Sequence, residues 1–325
     1  NAKAIFDSLN CGVFQMSFFG KPLVAVQDPD EAKNILLHGK EFVRPAGLVS
    51  EKMKEYFPLN GIGTSDEVEW SRQRKLLMHA FDQSHLQMLI PIFNKYANKL
   101  IQKFANQQVN KEVNIISEFK CLTNDVIGAA AFGHDFKAIE NGTSLIIEHI
   151  DGVIKEQVGT VLLLIPGTIY LPIPAIKRIL NSATAIQKIA QELIEPRRKE
   201  QAEQLKATGT VEPKGDFLDI MLKLAHNSEP ILTTRQILDN GFFFLLAGSE
   251  TTTSTMALLA YHLALDQRLQ QEVRDEIRIY FKERFSKENV EEEISSSDLQ
   301  VLHLLNSCYK ETLRLYPPAV SILRS

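Results

Sequence analysis

Read for its apolar and polar positions, the chain is a series of helical stripes broken by short turns. They surround one segment that is apolar on nearly every side. That segment runs from Leu232 to Leu265 and opens with Thr233 and Gln236 spaced as a capping box. Phe242 to Ala247 has no polar face and Met256 to Leu265 has little of one, so the pattern predicts a long, mostly buried helix. Seven polar residues, Ser249 to Thr255, interrupt the apolar run near its middle, which argues against a membrane span.

The flanking elements follow the same logic. Val13 to Ser17 and Leu23 to Gln27, around Gly20-Lys21-Pro22, predict a β-hairpin. Asp28-Pro29-Asp30-Glu31 then starts a helix that runs to about His38. Ala46 to Asp66 reads as loop with at most one short helix. In the helix EWSRQRKLLMHAF, Trp70, Arg74, Leu77 and Phe81 share a face. Leu86, Leu89, Ile90, Phe93, Ala97, Leu100, Ile101 and Phe104 give the clearest amphipathic stripe. Glu118 to Phe132 is a further helix, ended by Gly133. Val161 to Ile176 is apolar, but Pro166, Pro172 and Pro174 forbid one continuous helix. Ile186, Ile189, Ala190, Leu193 and Ile194 form another face, followed after Pro196 by a charged stretch. Thr208 to Gly215 is loop, and Asp216 caps a short helix at FLDIMLKL. Beyond the central segment lie a charged helix (Gln267 to Arg284), an acidic loop (Glu288 to Ser297) and a last helix carrying KETLRLYPP.

Composition narrows the class without naming a function. With 325 residues, 44% of them hydrophobic, the chain can bury a large core. A net charge of −4 gives no reason to expect nucleic acid as a partner. Three scattered cysteines, Cys11, Cys121 and Cys308, do not make a disulfide framework and favour a reducing compartment. The first residues, NAKAIFDSLN, carry no initiator Met, signal peptide or anchor, and the last, ILRS, complete no element. Both ends read as cut.

The candidate chemistry sits where the central helix breaks its own rules. Gly248 costs about 1 kcal/mol relative to Ala inside a helix, the Thr run is a poor helix former, and a buried Glu250 needs a partner. AGSETT, Ala247 to Thr252, is therefore either a small polar kink in a core helix or a place where a bend, a hydroxyl and an acid act together. It resembles the acid-alcohol signature A/G-G-x-D/E-T-T of the cytochrome P-450 monooxygenases. Three further patterns occur in that family's order. They are Trp70-x-x-x-Arg74, the pair Glu311-x-x-Arg314 before Leu315-Tyr316-Pro317-Pro318, and Arg324 thirteen residues after Glu311. Each alone has a plain structural reading: a packed Trp beside a solvated Arg, or a surface charge pair worth under ~0.5 kcal/mol. Glu41-Phe42-Val43-Arg44-Pro45 resembles the family's F-x-x-R-P element.

The resemblance implies a mainly α cytochrome P-450 fold with a small β part. It would be one incomplete domain, truncated at both ends, with residues 1–45 opening the β-rich part and 46–325 helical. It also implies haem b, held through its propionates by Trp70, Arg74 and Arg324 and lying against Ala247 and Gly248. Thr251 would hydrogen-bond dioxygen in an opened helix, with Glu250 linking it to a proton-carrying water chain. Glu311 and Arg314 would form a buried structural pair. Phe242, Phe243 and Phe244 would line a pocket for a lipophilic substrate, although packing alone accounts for any one of them. Electrons would come from NADPH through a reductase. The full-length protein would associate with a membrane, at the cytosolic face of the endoplasmic reticulum if the source is eukaryotic. The axial segment F-x-x-G-x-R-x-C-x-G is not met: its Gly and Arg positions are Asp7 and Leu9 before Cys11, Ser117 and Phe119 before Cys121, and Leu304 and Asn306 before Cys308. By resemblance no residue of this chain binds the iron, and the axial Cys is expected beyond Ser325. Two other classes stay open: a peroxide-rearranging member, against which Glu250-Thr251 argues, and a non-catalytic helical ligand-binding protein.

Overall fold

A helix that is apolar around most of its circumference needs neighbours on several sides, and the architecture supplies them. The computed structural model describes residues 11–325 apart from 19–20, 40, 44–52, 54, 58–59, 108–111, 157–161, 164, 166, 210–214, 226–231, 286–292, 320, 323 and 325. Over the described residues the chain is mainly helical, with one two-stranded sheet. Strands β1 (Val13–Phe18) and β2 (Lys21–Val26) pair antiparallel, Val13 opposite Val26. Helix α1 (Pro29–Leu37) follows, and Asp28 caps it by accepting from the Asp30 and Glu31 amides at 3.0 Å. Arg44 and Pro45, Pro166, and most of the expected loops at 208–215 and 288–297 lie outside the described residues.

The helices that frame the site come next. They are α2 (Glu67–Leu77), extended by a 3-10 turn over Met78–Phe81, α3 (Gln83–Ala105) and α4 (Ile115–Phe132). Short α5 (Ala138–Asn141) and α6 (Leu145–Ile154) lead to α7 (Pro174–Thr208) and α8 (Phe217–Ala225). The central helix is α9 (Thr234–Leu265), followed by α10 (Gln267–Phe285), α11 (Ser296–Val301) and α12 (His303–Leu315). Helix α9 lies mainly along α4, with α7, α10 and α12 as further neighbours, while α6 packs on α7. Its Ile237, Phe242 and Leu245 join the main core with Phe132, Ile146, Ile150, Ile186, Ile194 and Leu218. Burying each such side chain contributes about 1.5–3 kcal/mol.

The apolar face before Pro196 and the charged stretch after it form one helix, since α7 runs through the proline for 35 residues. The next residue, Arg197, is buried and donates to Asp219 and Asp216 at 2.7 Å each, which anchors this part of α7 to the start of α8. The stripe read on α3 is buried only in part: Leu100 is buried and Leu89, Ile90, Ala97 and Phe104 are half-buried, but Leu86, Phe93 and Ile101 are exposed, and Tyr96, outside the stripe, is buried. Finally, α6, capped by the Ser144 hydroxyl, and α11, capped by Ser295, were not anticipated. Among the described residues no helix is long and apolar enough to cross a membrane.

Candidate functional site

The irregular stretch of α9 is helical throughout, so the expected opening at AGSETT is not present. Most of its unusual residues are explained by the crossing with α4. A Cβ at Gly248 would stand 2.8 Å from Ile127 Cδ1, so the glycine permits the close approach of the two helices. Ser249 and Thr253 are buried and face α4. There Asn124 Nδ2 donates to Ser249 Oγ at 2.6 Å, and the Thr123 and Thr253 hydroxyls bond at 2.7 Å. The Thr251 and Thr255 hydroxyls find partners within the helix, donating to the carbonyls four residues back, Ala247 O at 2.8 Å and Thr251 O at 2.9 Å.

Glu250 falls outside that explanation, as do Thr251, Thr252 and Ser254, all three exposed. Thr251 holds the alcohol position of the motif. Glu250 points away from it toward α4, where Lys120 Nζ lies 2.9 Å from Glu250 Oε1 and 2.5 Å from Asp151 Oδ1 of α6. Burial works against the Lys120 charge, but Asp151 and Glu250 outweigh it and hold the ammonium above its ordinary value. Burial likewise opposes Asp151, yet Lys120 and Lys155 keep its carboxyl below the usual range. The acid and the alcohol are thus neighbours in sequence on different faces, one ion-paired and one open.

On α2 the guanidinium of Arg74 stacks over the Trp70 ring, 5.2 Å from its centre. An indole N–H and a guanidinium fork side by side suit a carboxylate ligand, which is the fit a haem propionate requires. Arg324 is partly buried near the chain's end. On α12, Arg314 grips Glu311 through two bonds of 2.7 Å, as expected, but both side chains are exposed rather than buried. No segment described here lies over the pair. Helix α12 is placed by its neighbours: Glu276 of α10 accepts from the Leu304 and Leu305 amides at 2.7 and 3.0 Å, and Tyr316 stacks on His262 of α9 at 5.1 Å.

The phenylalanine run divides. Phe242 is only 2% exposed and sits in the main core. Phe243 lies over Gly63, where a Cβ would collide with its ring, and Phe244 packs on Phe217 at 4.4 Å. Burial pushes the Cys121 thiol up to about 11 and also raises Cys308, so neither favours a thiolate.

Sequence reading missed Lys120 and Asp151, and it missed the buried polar set of Gln73, Asp239 and Asn240 that joins α2 to α9. A signal for each was present: Lys120 and Thr123-Asn124-Asp125 interrupt an apolar helix, and Asp239-Asn240 interrupts the apolar start of α9.

Comparison with known proteins gives the family. The sequence profile described as Cytochrome P450 matches residues 10–325, and the chain belongs to that family. It is 27% identical to Cytochrome P450 3A29 of Sus scrofa over 94% of this chain and 59% of that protein. It is 27% identical to Protein LUTEIN DEFICIENT 5, chloroplastic, of Arabidopsis thaliana over 97% of this chain and 52% of the relative. Secologanin synthase 1 of Catharanthus roseus is 26% identical over 93% of this chain and 56% of its own length. The chain thus spans little more than half the length of the curated relatives it matches.

Proposed function

We propose that the chain is part of a haem monooxygenase that inserts one oxygen atom of O2 into a lipophilic organic substrate. The observation that carries this reading is Thr251. It is an exposed hydroxyl at mid-helix, bonded back to Ala247 O, beside an ion-paired carboxylate, in a chain of the cytochrome P450 family. Bound haem supplies the reduction of dioxygen and the transfer of oxygen. Trp70 and Arg74, with Arg324, would hold a propionate as donors, and the small side chain of Ala247 would let the flat ring approach α9, while Gly248 is taken up by the contact with α4. Thr251 Oγ1 gives up its bond to Ala247 O to donate toward the substrate side. Glu250, turned onto α4 and ion-paired with Lys120, would tie Thr251 to a chain of waters, from which the proton itself would come. Phe243 and Phe244 offer an apolar wall for the substrate. The axial cysteine belongs to the longer protein, Glu311 and Arg314 serve as its structural pair, and NADPH delivers electrons through a reductase. We place the whole protein at the cytosolic face of the endoplasmic reticulum membrane, a reading that subcellular fractionation tests.

The deciding experiment reduces the longer protein under carbon monoxide, where the red-shifted Soret band of thiolate ligation is expected. Thr251→Ala in that protein should keep the band and raise the peroxide formed per NADPH consumed. No band would overturn the haem reading; an unchanged ratio would leave Thr251 a helix residue only.

A further inference from the structure

We propose that the buried amide pair Gln73–Asn240 is a positioning device that sets where α2, and with it Trp70 and Arg74, stands against α9. The inference rests on the haem reading above and assigns residues which that reading does not use.

Helix α2 is poorly equipped to place itself by apolar packing. Most of its residues are polar, and its only buried members are Gln73 and Leu77. Gln73 and Asn240 are both 0% exposed. Two buried amides cost free energy unless every polar atom is met, and here each is. Asn240 Nδ2 donates to Gln73 Oε1 at 2.8 Å, and Asn240 Oδ1 accepts from the Ile62 amide at 2.9 Å. Gln73 Nε2 donates to Asn60 O at 2.8 Å and to Glu69 Oε1 at 2.9 Å. One residue back on α9, Asp239 Oδ2 accepts from the Asn60 amide and from Asn60 Nδ2, both at 3.0 Å, while Arg235 Nε stands 2.9 Å from Oδ1.

The loop between these bonds lies directly on α9. A Cβ at Gly61 would be 3.1 Å from the Asp239 carbonyl carbon and 3.2 Å from Asn240 N. A layer of Leu side chains could hold α2 at a range of registers, because apolar contact has no direction. The amide ladder accepts one register, since a shift of a single residue leaves all of these buried groups unpaired at once. Trp70 is three residues before Gln73 and Arg74 one after, so both inherit that register on an adjoining face.

The test uses the full-length holoprotein with Gln73→Met and Asn240→Leu, and Ile150→Val as a core control far from the ladder, compared at matched distance below each melting temperature. Haem transfer to apomyoglobin gives the release rate, and resonance Raman reports the propionate bending mode. Both amide variants should release haem about 10–100-fold faster than the control, as loss of supporting partners does at metal centres, with a shifted propionate band. Should either fail to fold, Asn240→Ala, which leaves room for a water to meet Gln73 Oε1 and the Ile62 amide, takes its place; its release rate should be intermediate. Release no faster than the control, with an unmoved propionate band, would make the pair purely structural and overturn the proposal. A wild-type protein without bound haem would instead overturn the haem reading.

Discussion

Lys120 of α4 stands 2.9 Å from Glu250 of α9 and 2.5 Å from Asp151 of α6, so one half-buried ammonium ties together three helices. Lys120→Met would leave two partly buried carboxylates without a cation. The expected loss is about 1–3 kcal/mol in denaturant unfolding, smaller than for a fully dry site. An unchanged midpoint would mean that water replaces the ammonium without cost.

The same cluster sets a pH dependence. The Asp151 carboxyl is depressed in the folded state, so its stabilisation is present above its unfolded pKa and is lost as pH falls through the folded one. Lys120 is raised, so its contribution is complete below its unfolded pKa and fades only as pH rises through the folded value. Asp151→Asn should therefore flatten the acid side of the stability profile and, because Asp151 also helps to hold Lys120 raised, weaken the alkaline limb as well. An acid limb as steep as in the unsubstituted protein would refute this.

Gly248→Leu should wedge α9 from α4, because even a Cβ comes within 2.8 Å of Ile127 Cδ1. Overpacking of this kind costs about 1–3 kcal/mol, partly offset by the better helix propensity of leucine. Ile127→Ala in the same protein should recover part of the loss. Independent, additive effects of the two substitutions would show that they do not share a contact.

Arg197→Leu should be the most damaging of these changes. It strands Asp216 and Asp219, which are 5% and 2% exposed, at an expected cost of about 3–5 kcal/mol. Burial already raises the Asp216 carboxyl, against the pull of Arg197. Replacing both aspartates by Asn in the Arg197→Leu background should restore much of the stability, and failure to do so would point to the arginine's packing instead.

Glu311→Ala separates two views of the last helix. In residues 1–325 both partners are exposed, so thermal unfolding should barely change. In the longer protein, if the pair acquires a cover, the same substitution should lower haem content. A large loss of stability already in residues 1–325 would contradict the exposed geometry.

What the sequence made legible follows from period and punctuation. The capping box at Thr233 and Gln236, the Asp28 and Asp216 caps and the stop at Gly133 are local signals, and the structure realises each. Partnerships across long separations were hidden. Nothing near Pro196 reveals that Arg197 will meet Asp219, and nothing near Glu250 names Lys120, because those bonds depend on which helix faces which. The partly exposed stripe of α3 has the same cause: apolar residues mark a stripe, but Tyr96 is buried because of what lies beside it. At AGSETT the motif located the unusual residues correctly. The crossing with α4 then accounted for Gly248, Ser249 and Thr253 and left Glu250 and Thr251 for chemistry.

That crossing also decides how the site can move. Turning α9 by one residue, about 100° about its own axis, would pull the Ser249 and Thr253 hydroxyls off Asn124 and Thr123 and drive a side chain into Ile127. Sliding it by a turn breaks the same bonds. With neither screw nor slide open to it, the central helix is locked to α4 as a two-helix beam, and the Thr251 face can be re-aimed only by swinging both together.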